Sequence, residues 1–373
     1  YVDDDMNVNA KYLQDIVTKI ISDFGLSQNF RGITSDGASN MRSAFDNNKF
    51  NRHCCICHVF NLLLHDIHEL FSKRFQNLHH IQSLTKKSSS FSSFCRIKNS
   101  PVTKISSYSQ SRWYSIIKMV HSFNCTYSAL ILFLNEKGKQ NPFTHDDLMF
   151  FQEFELFLSY FQSSIQYFEE DSFGQISKVH AELHTLKEQL SVMMNNSELL
   201  IKNKKEINEI INNRFQMITD SYGDLLYATS LLHPIRFYSR FLTEDEKNKG
   251  LSYIKNLIQI ESSKNKQSDA INSCFDGDTR SQKEFIIRNQ IALDNQFDEL
   301  DHFLNSSPSR EKDAFAFWKK QKSQYPTLFK VVFQLLSIPT SSASIERIFS
   351  KSKQLLGDKQ LKTGEKLLES RMI

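Results

Sequence analysis

Glycine and proline are scarce, ten and six in 373 residues. With so few turn-formers and abundant Leu, Ile, Lys, Glu, Gln and Asn, the chain is expected to build long helices rather than a many-stranded sheet. Cysteine is sparse too: six residues, three of them crowded at Cys54, Cys55 and Cys57. That is no secreted disulfide framework, and a reducing compartment fits it better. No uninterrupted run of about 18 apolar residues occurs, so no membrane-spanning segment is expected. GxGxxG, Walker, GxSxG and HExxH motifs are missing, which removes support for nucleotide-cofactor enzymes, serine hydrolases and zincin proteases. The opening YVDDDMNVNA has neither a signal peptide's apolar run nor an initiator Met, and reads as a cut through a longer protein.

What is present can fill a core. Hydrophobic residues are 40% of the chain and include 31 Phe, which argues against wholesale disorder. The length allows two or three domains, or one domain carrying a large insertion. A formal net charge of +4 is mildly basic and compatible with a polyanionic partner. Tyr12, Leu13, Ile16, Val17, Ile20, Ile21 and Phe24 recur at helical spacing, with Gly25 as a natural stop. FRGITSD reads as a strand ending at Asp36, after which Gly37 opens a turn and a helix restarts near Asn40. From Val59 to Leu70 the chain is helical again.

Residues 86–111, Ser- and Lys-rich with one Pro, read as a basic loop. Beyond Trp113 helical periodicity dominates. Leu148, Phe151, Phe154, Leu158, Phe161, Ile165 and Phe168 keep one apolar stripe. Leu183, Leu186, Leu190 and Met193 make a second, and Ile207, Ile210, Ile211 and Phe215 a third. Residues 261–312 are polar and read as partly flexible. Leu328, Val331, Val332, Leu335 and Leu336 then form an amphipathic helix closed by Ser337-Ile338-Pro339. Ser341 or Ser342 caps a following helix that carries Ile345, Ile348 and Phe349 on one face.

Each chemistry-bearing motif has a bland explanation beside a sharper one. Asp36 before Gly37 suits an Asx-type turn, or a metal-binding carboxylate at a strand end. Glu346 suits the positive end of a helix, or a second carboxylate for the same ion. HCCICH (53–58) suggests zinc, yet no second ligand pair stands at a suitable distance, which leaves zinc open without requiring it. Trp113 suits a core, or an unpaired base stacked on indole with Arg112 beside it. RFYSR (236–240) and FAFWKKQK (315–322) mix aromatic and basic residues, and solvated helix faces with apolar backs account for them.

In order along the chain, ITSDGASNM, CCICHVFNLLLHD, SRWYS, LLYATSLLHPIRF and YPTLFKVVFQLLSIPTSSASIERIFS resemble the hAT transposase superfamily. The resemblance is weakest over 120–215 and 240–310, and most specific in the last block. It implies an α-rich α/β fold: an incomplete RNase H-like core over 1–66, a large all-helical insertion over 67–307, and the hAT C-terminal dimerisation region over 308–373, which completes the core. By the same resemblance Asp36 and Glu346 correspond to the second and third acids of an Asp-Asp-Glu triad that binds magnesium in the intact family. Cys55 and His58 match its Cys-x-x-His motif. Arg112 and Trp113 match the Arg-Trp motif that handles a flipped base. Leu328, Leu335, Ile348 and Phe349 fall in the self-association region.

The departures matter as well. The family's first Asp precedes a helix like Tyr12–Phe24, but Asp3, Asp4 and Asp5 lie in a polar lead, and Asp15 and Asp23 fall within the helix. His233 stands where many relatives carry Asp. The expectation is a nuclear, DNA-associated, self-associating transposase fragment or derivative, inactive alone. The alternative is a domesticated, non-enzymatic regulator that binds DNA and dimerises.

Overall fold

A computed structural model describes residues 9–27, 29–46, 50–110, 112, 114–170, 172–198, 200–272 and 299–356. The chain divides into two compact units, one of residues 1–55, 171–184 and 219–373, the other of residues 56–170 and 185–218.

In the first unit, α1 (Ala10–Asp23) begins where the Asn9 side chain accepts the Tyr12 N–H. It ends at Gly25, whose φ of 63° lets Leu26 N–H bond back to Ile21 O at 2.8 Å. Leu13, Val17 and Ile21 pack with α2 (Ser39–Phe45) around buried Ala44, Phe45 and Phe50. Strand β1 is Ile33–Ser35, ending just before Asp36 as the sequence predicts. It pairs in parallel with β2 (Arg52–Cys54), in the register Ile33↔Arg52, Thr34↔His53 and Ser35↔Cys54. Periodicity did not reveal β2, since three residues inside a Cys/His cluster show none.

The same unit contains α10 (Asp224–Leu231) and α11 (Glu244–Asn272). They approach closely at Gly250, where a Cβ would sit 2.9 Å from Ala228 N. A helical stretch at 299–305 (α12) is followed by α13 (Ala314–Gln321), α14 (Pro326–Leu336) and α15 (Ala343–Leu356). Pro326 starts α14, and the Glu299 carboxylate accepts the Thr327 and Leu328 N–H groups there. All five apolar residues predicted for this helix are buried.

The second unit holds α3 (Ile56–Leu70), α4 (Ser72–Thr85), α5 (Ser89–Ile97), α6 (Ser115–Glu136) and α7 (His145–Glu169), with parts of α8 (Val179–Asn195) and α9 (Lys204–Tyr222). A Thr144–Asp147 capping box starts α7, and Phe151, Phe154, Leu158, Phe161, Ile165 and Phe168 of its predicted stripe are buried. Phenylalanines dominate this core: Phe150 and Phe154 stack at 5.2 Å, and Phe75 meets Phe151 edge-on at 5.4 Å.

The segment expected as a loop over 86–111 instead holds α5. Ser88 accepts the Phe91 N–H as its cap, and Phe91 and Cys95 bury one face. Serine thus serves this helix as a cap, and an apolar pair one turn apart supplies the packing. Helix α11 likewise runs into the polar 261–312 stretch. By length and composition α6 is apolar enough to cross a membrane, but Met119, Val120, Phe123, Leu130 and Phe133 are buried, and it packs on α5 and α7.

Candidate functional site

The main site is assembled at the end of the parallel strand pair. Asp36 directly follows β1, half-buried, and its Oδ1 accepts the Ala38 N–H at 3.2 Å. Arg52 donates to the Asp36 backbone carbonyl at 3.1 Å and directs its Nε to Asp46. The nearby guanidinium is therefore not spent on the Asp36 carboxylate.

Cys55 connects this strand end to α15. Its N–H donates to Ser35 O at 2.8 Å, and its thiol sulfur accepts the Ser342 N–H at 3.3 Å and lies 3.6 Å from Ser341 Oγ. Thr34 Oγ1 adds a bond to Pro339 O at 2.6 Å. Ser341 Oγ in turn accepts the Ala343 N–H at the start of α15. One turn on, Glu346 is exposed; its N–H donates to Ser342 O, and its carboxylate accepts from Ser342 Oγ at 3.2 Å. The segments bearing the two carboxylates thus meet at Cys55, which is 1% exposed.

The partner strand is fixed from its other side. Cys54 N–H donates to Ser221 Oγ at 2.7 Å, Tyr222 OH donates to Cys54 O at 2.9 Å, and His53 stacks on Tyr222 at 4.7 Å. Burial pushes the Cys54 thiol up to about 11 and holds His53 below the usual imidazole range. Cys57 is buried elsewhere and donates to Ile165 O. The three clustered cysteines therefore serve three different contacts.

His58 is half-buried in the first turn of α3. Arg112 is exposed in a turn where its N–H donates to Ser109 O and its own carbonyl accepts the Ser115 N–H. Trp113 lies outside the described residues. Tyr114, the next residue in the chain, lines a cleft of about 350 Å³ together with Ile117, Lys118, His121, Gln162, Gln166 and Glu169. Tyr114, in the left-handed region at φ 61°, donates its hydroxyl to Glu169 at 2.6 Å. Nothing in the sequence pattern marked Lys118, Gln162 or Glu169; Lys118 is close to SRWYS in the chain, and the other two join it only in the fold.

The other motifs resolve into architecture. Arg236 lies over the Phe303 ring at 4.1 Å and donates to Leu231 O, while Trp318 is buried and donates to Leu232 O at 3.1 Å. His233 is fully buried, and its Nδ1 accepts the Ile235 N–H at 3.0 Å, a need that a carboxylate at this position would also meet. Burial, with Lys178 and Arg236 nearby, pushes its pKa down to about 3, so it is neutral.

In the self-association segment, Leu328 and Leu335 are 0% exposed and pack within the chain. Ile345, Ile348 and Phe349 are exposed at 50%, 44% and 67%, and their spacing places them on one face of α15. Residues 292–372 match the model of the hAT family C-terminal dimerisation region. No curated protein matches the chain.

Proposed function

From the premise that this chain carries the C-terminal part of a hAT-family transposase, a transposase-related and self-associating protein, we propose that it acts on DNA in the nucleus through a divalent-metal site of which it supplies two carboxylates. The observation that carries this reading is the Cys55 junction, which ties the strand end before Asp36 to the helix start before Glu346. A strand-end acid and a helix-borne acid on segments joined at Cys55 suit an RNase H-like core, with residues 308–373 completing what residues 1–66 begin and the helical middle inserted between them.

Oxygen donors of this kind fit a hard ion of the magnesium class, which Asp36 and Glu346 would hold. Such an ion supplies charge stabilisation during phosphoryl transfer. The chain's own residues orient the ligands: Arg52 and Ala38 fix the Asp36 turn, and Ser342 holds Glu346. Asp15 and Asp23 lie on α1, and Asp3, Asp4 and Asp5 fall outside the described residues. Among the described residues, Asp36 and Glu346 are the two acids assigned to the site. By the family resemblance Arg112 and Trp113 receive an unpaired base, with cation and ring contacts to hold it. Self-association uses the exposed Ile345, Ile348 and Phe349 face, while Leu328 and Leu335 maintain the helix that supports it.

The test is magnesium-dependent nicking of a duplex carrying the element's ends, by a full-length version that includes these residues. Glu346→Ala is expected to abolish nicking with the fold intact by circular dichroism. Nicking equal to the parent would remove Glu346 from the metal site.

A further inference from the structure

Helix α3 carries His65, His68 and Glu69 at i, i+3 and i+4, which places them on one face. Among the described residues these three form the group of potential ligands whose donor atoms all lie within 4.8 Å of one another. The geometry points to a second metal site here, within the helical unit, for a transition-metal dication of the zinc class. It does not depend on the carboxylate pair described above.

The hydrogen bonding around His68 favours it. His68 is 5% exposed, with Nδ1 3.3 Å from Glu69 Oε1 and Nε2 3.0 Å from His79 Nε2. Two imidazole nitrogens that close share a single proton. One tautomer gives His68 Nδ1–H to Glu69 and accepts from His79 at Nε2; in the other, Nε2–H is given to His79, and the Nδ1 lone pair and the Glu69 carboxylate, 3.3 Å apart, can take one cation between them. A ligating imidazole commonly has this arrangement, with its outer N–H given to an acceptor that fixes tautomer and ring angle. His79 is that acceptor.

Tyr108 and Phe75 wall the site. The Tyr108 ring stacks on His68 at 4.3 Å, with its hydroxyl 2.6 Å from His65 Nδ1, and Phe75 lies 4.6 Å from His68. His65 Nε2 is 2.7 Å from the Gln110 amide nitrogen, so metal binding exchanges one of these His65 bonds for the ion. Burial also holds His68 and His79 below the ordinary imidazole range, and a neutral ring is the ligating form. Two imidazoles and one carboxylate suit zinc and leave one position of its tetrahedron for water. The ion would pin the segment bearing Tyr108, Gln110 and Arg112 against α3.

Titration of the full chain with Zn²⁺ by calorimetry, and with Co²⁺ by absorption, tests this directly. One equivalent is expected to bind, with a Co²⁺ d–d spectrum that lacks a thiolate charge-transfer band. His65→Gln and Glu69→Gln, at the less buried positions, are expected to abolish binding without altering the helical signal. His79→Gln acts through His68 and is expected to weaken affinity by about tenfold to a hundredfold. Absence of binding overturns the proposal. So does binding that survives both His65→Gln and Glu69→Gln, or one with a thiolate band, which would move the metal to the cysteines.

Discussion

Both units pack sequence-neighbouring helices, α10 on α11 and α1 on α2 in one and α5 on α6 in the other, and they differ in the polar bonds that join distant stretches of chain. In the helical unit neighbouring helices supply most of the packing: α5 on α6, α6 on α7, α3 on α4. Its aromatic spine runs along one helix through Phe150, Phe154, Phe157 and Phe161. The other unit draws on three separate stretches of sequence. It is joined by bonds such as Cys55 to Ser342, 287 residues apart, and Thr34 to Pro339, 305 apart. Loop closure makes such distant pairings costly until the surrounding structure is formed. The first kind of unit tolerates a lost hydrogen bond and is sensitive to a lost ring. The second adds individual polar contacts to its apolar core.

The largest expected effect sharpens that contrast. Phe154 is fully buried between Phe150, Phe157, Phe71 and Phe75. Phe154→Ala is expected to cost about 3–5 kcal/mol in urea unfolding, from lost burial plus the cavity left behind. A cost below about 1 kcal/mol would mean that the spine repacks, and the contrast between the units would fail.

This difference in reach also explains what could be read in the sequence. The α7 stripe was visible because seven apolar residues recur at helical period, and one buried face is enough to define such a helix. The α14 helix was visible for the same reason. Strand β2 was not, because three residues carry no period and its stability comes from Ser221 and Tyr222, far along the chain. Helix α5 was hidden by serines that resemble loop composition and in fact cap and pad a helix. At the candidate site, family resemblance singled out Asp36, Cys55 and Glu346. Only the fold brings Cys55 into place as the contact joining the segments that carry the two acids.

A middle-sized effect tests the polar side of the comparison. His233 is held neutral, its pKa pushed from 6.5 to about 3 by burial, with Lys178 and Arg236 adding to the shift. Its folded value lies below its unfolded one, so its contribution is fully present above about pH 6.5 and is lost as pH falls toward 3. At pH 5 the loss is about 2 kcal/mol by this linkage. His233→Asn keeps an acceptor for the Ile235 N–H and removes the titration. It is therefore expected to flatten the acid side of the stability curve, measured by urea unfolding between pH 4 and 8 (roughly the window of the shift). An unchanged slope would mean that His233 titrates alike in the folded and unfolded chain.

The smallest effect on stability accompanies the largest effect on assembly. Ile348 and Phe349 are 44% and 67% exposed on α15, a turn away from the Ser341–Ser342 cap, and neither belongs to the buried core. Ile348→Asp with Phe349→Asp is expected to change unfolding free energy by no more than about 0.5 kcal/mol, as for ordinary surface positions. In sedimentation the same pair is expected to convert the self-associated chain to monomer, because two carboxylates on the pairing face would be desolvated beside their own copies. Leu335, 0% exposed on α14, gives the opposite outcome: Leu335→Asp places a charge in the core, and any loss of association there follows from loss of fold. If both variants unfolded the chain, α15 would belong to the core as α14 does. If the α15 pair left the oligomer intact, the dimerisation region would associate through some other part of residues 292–372.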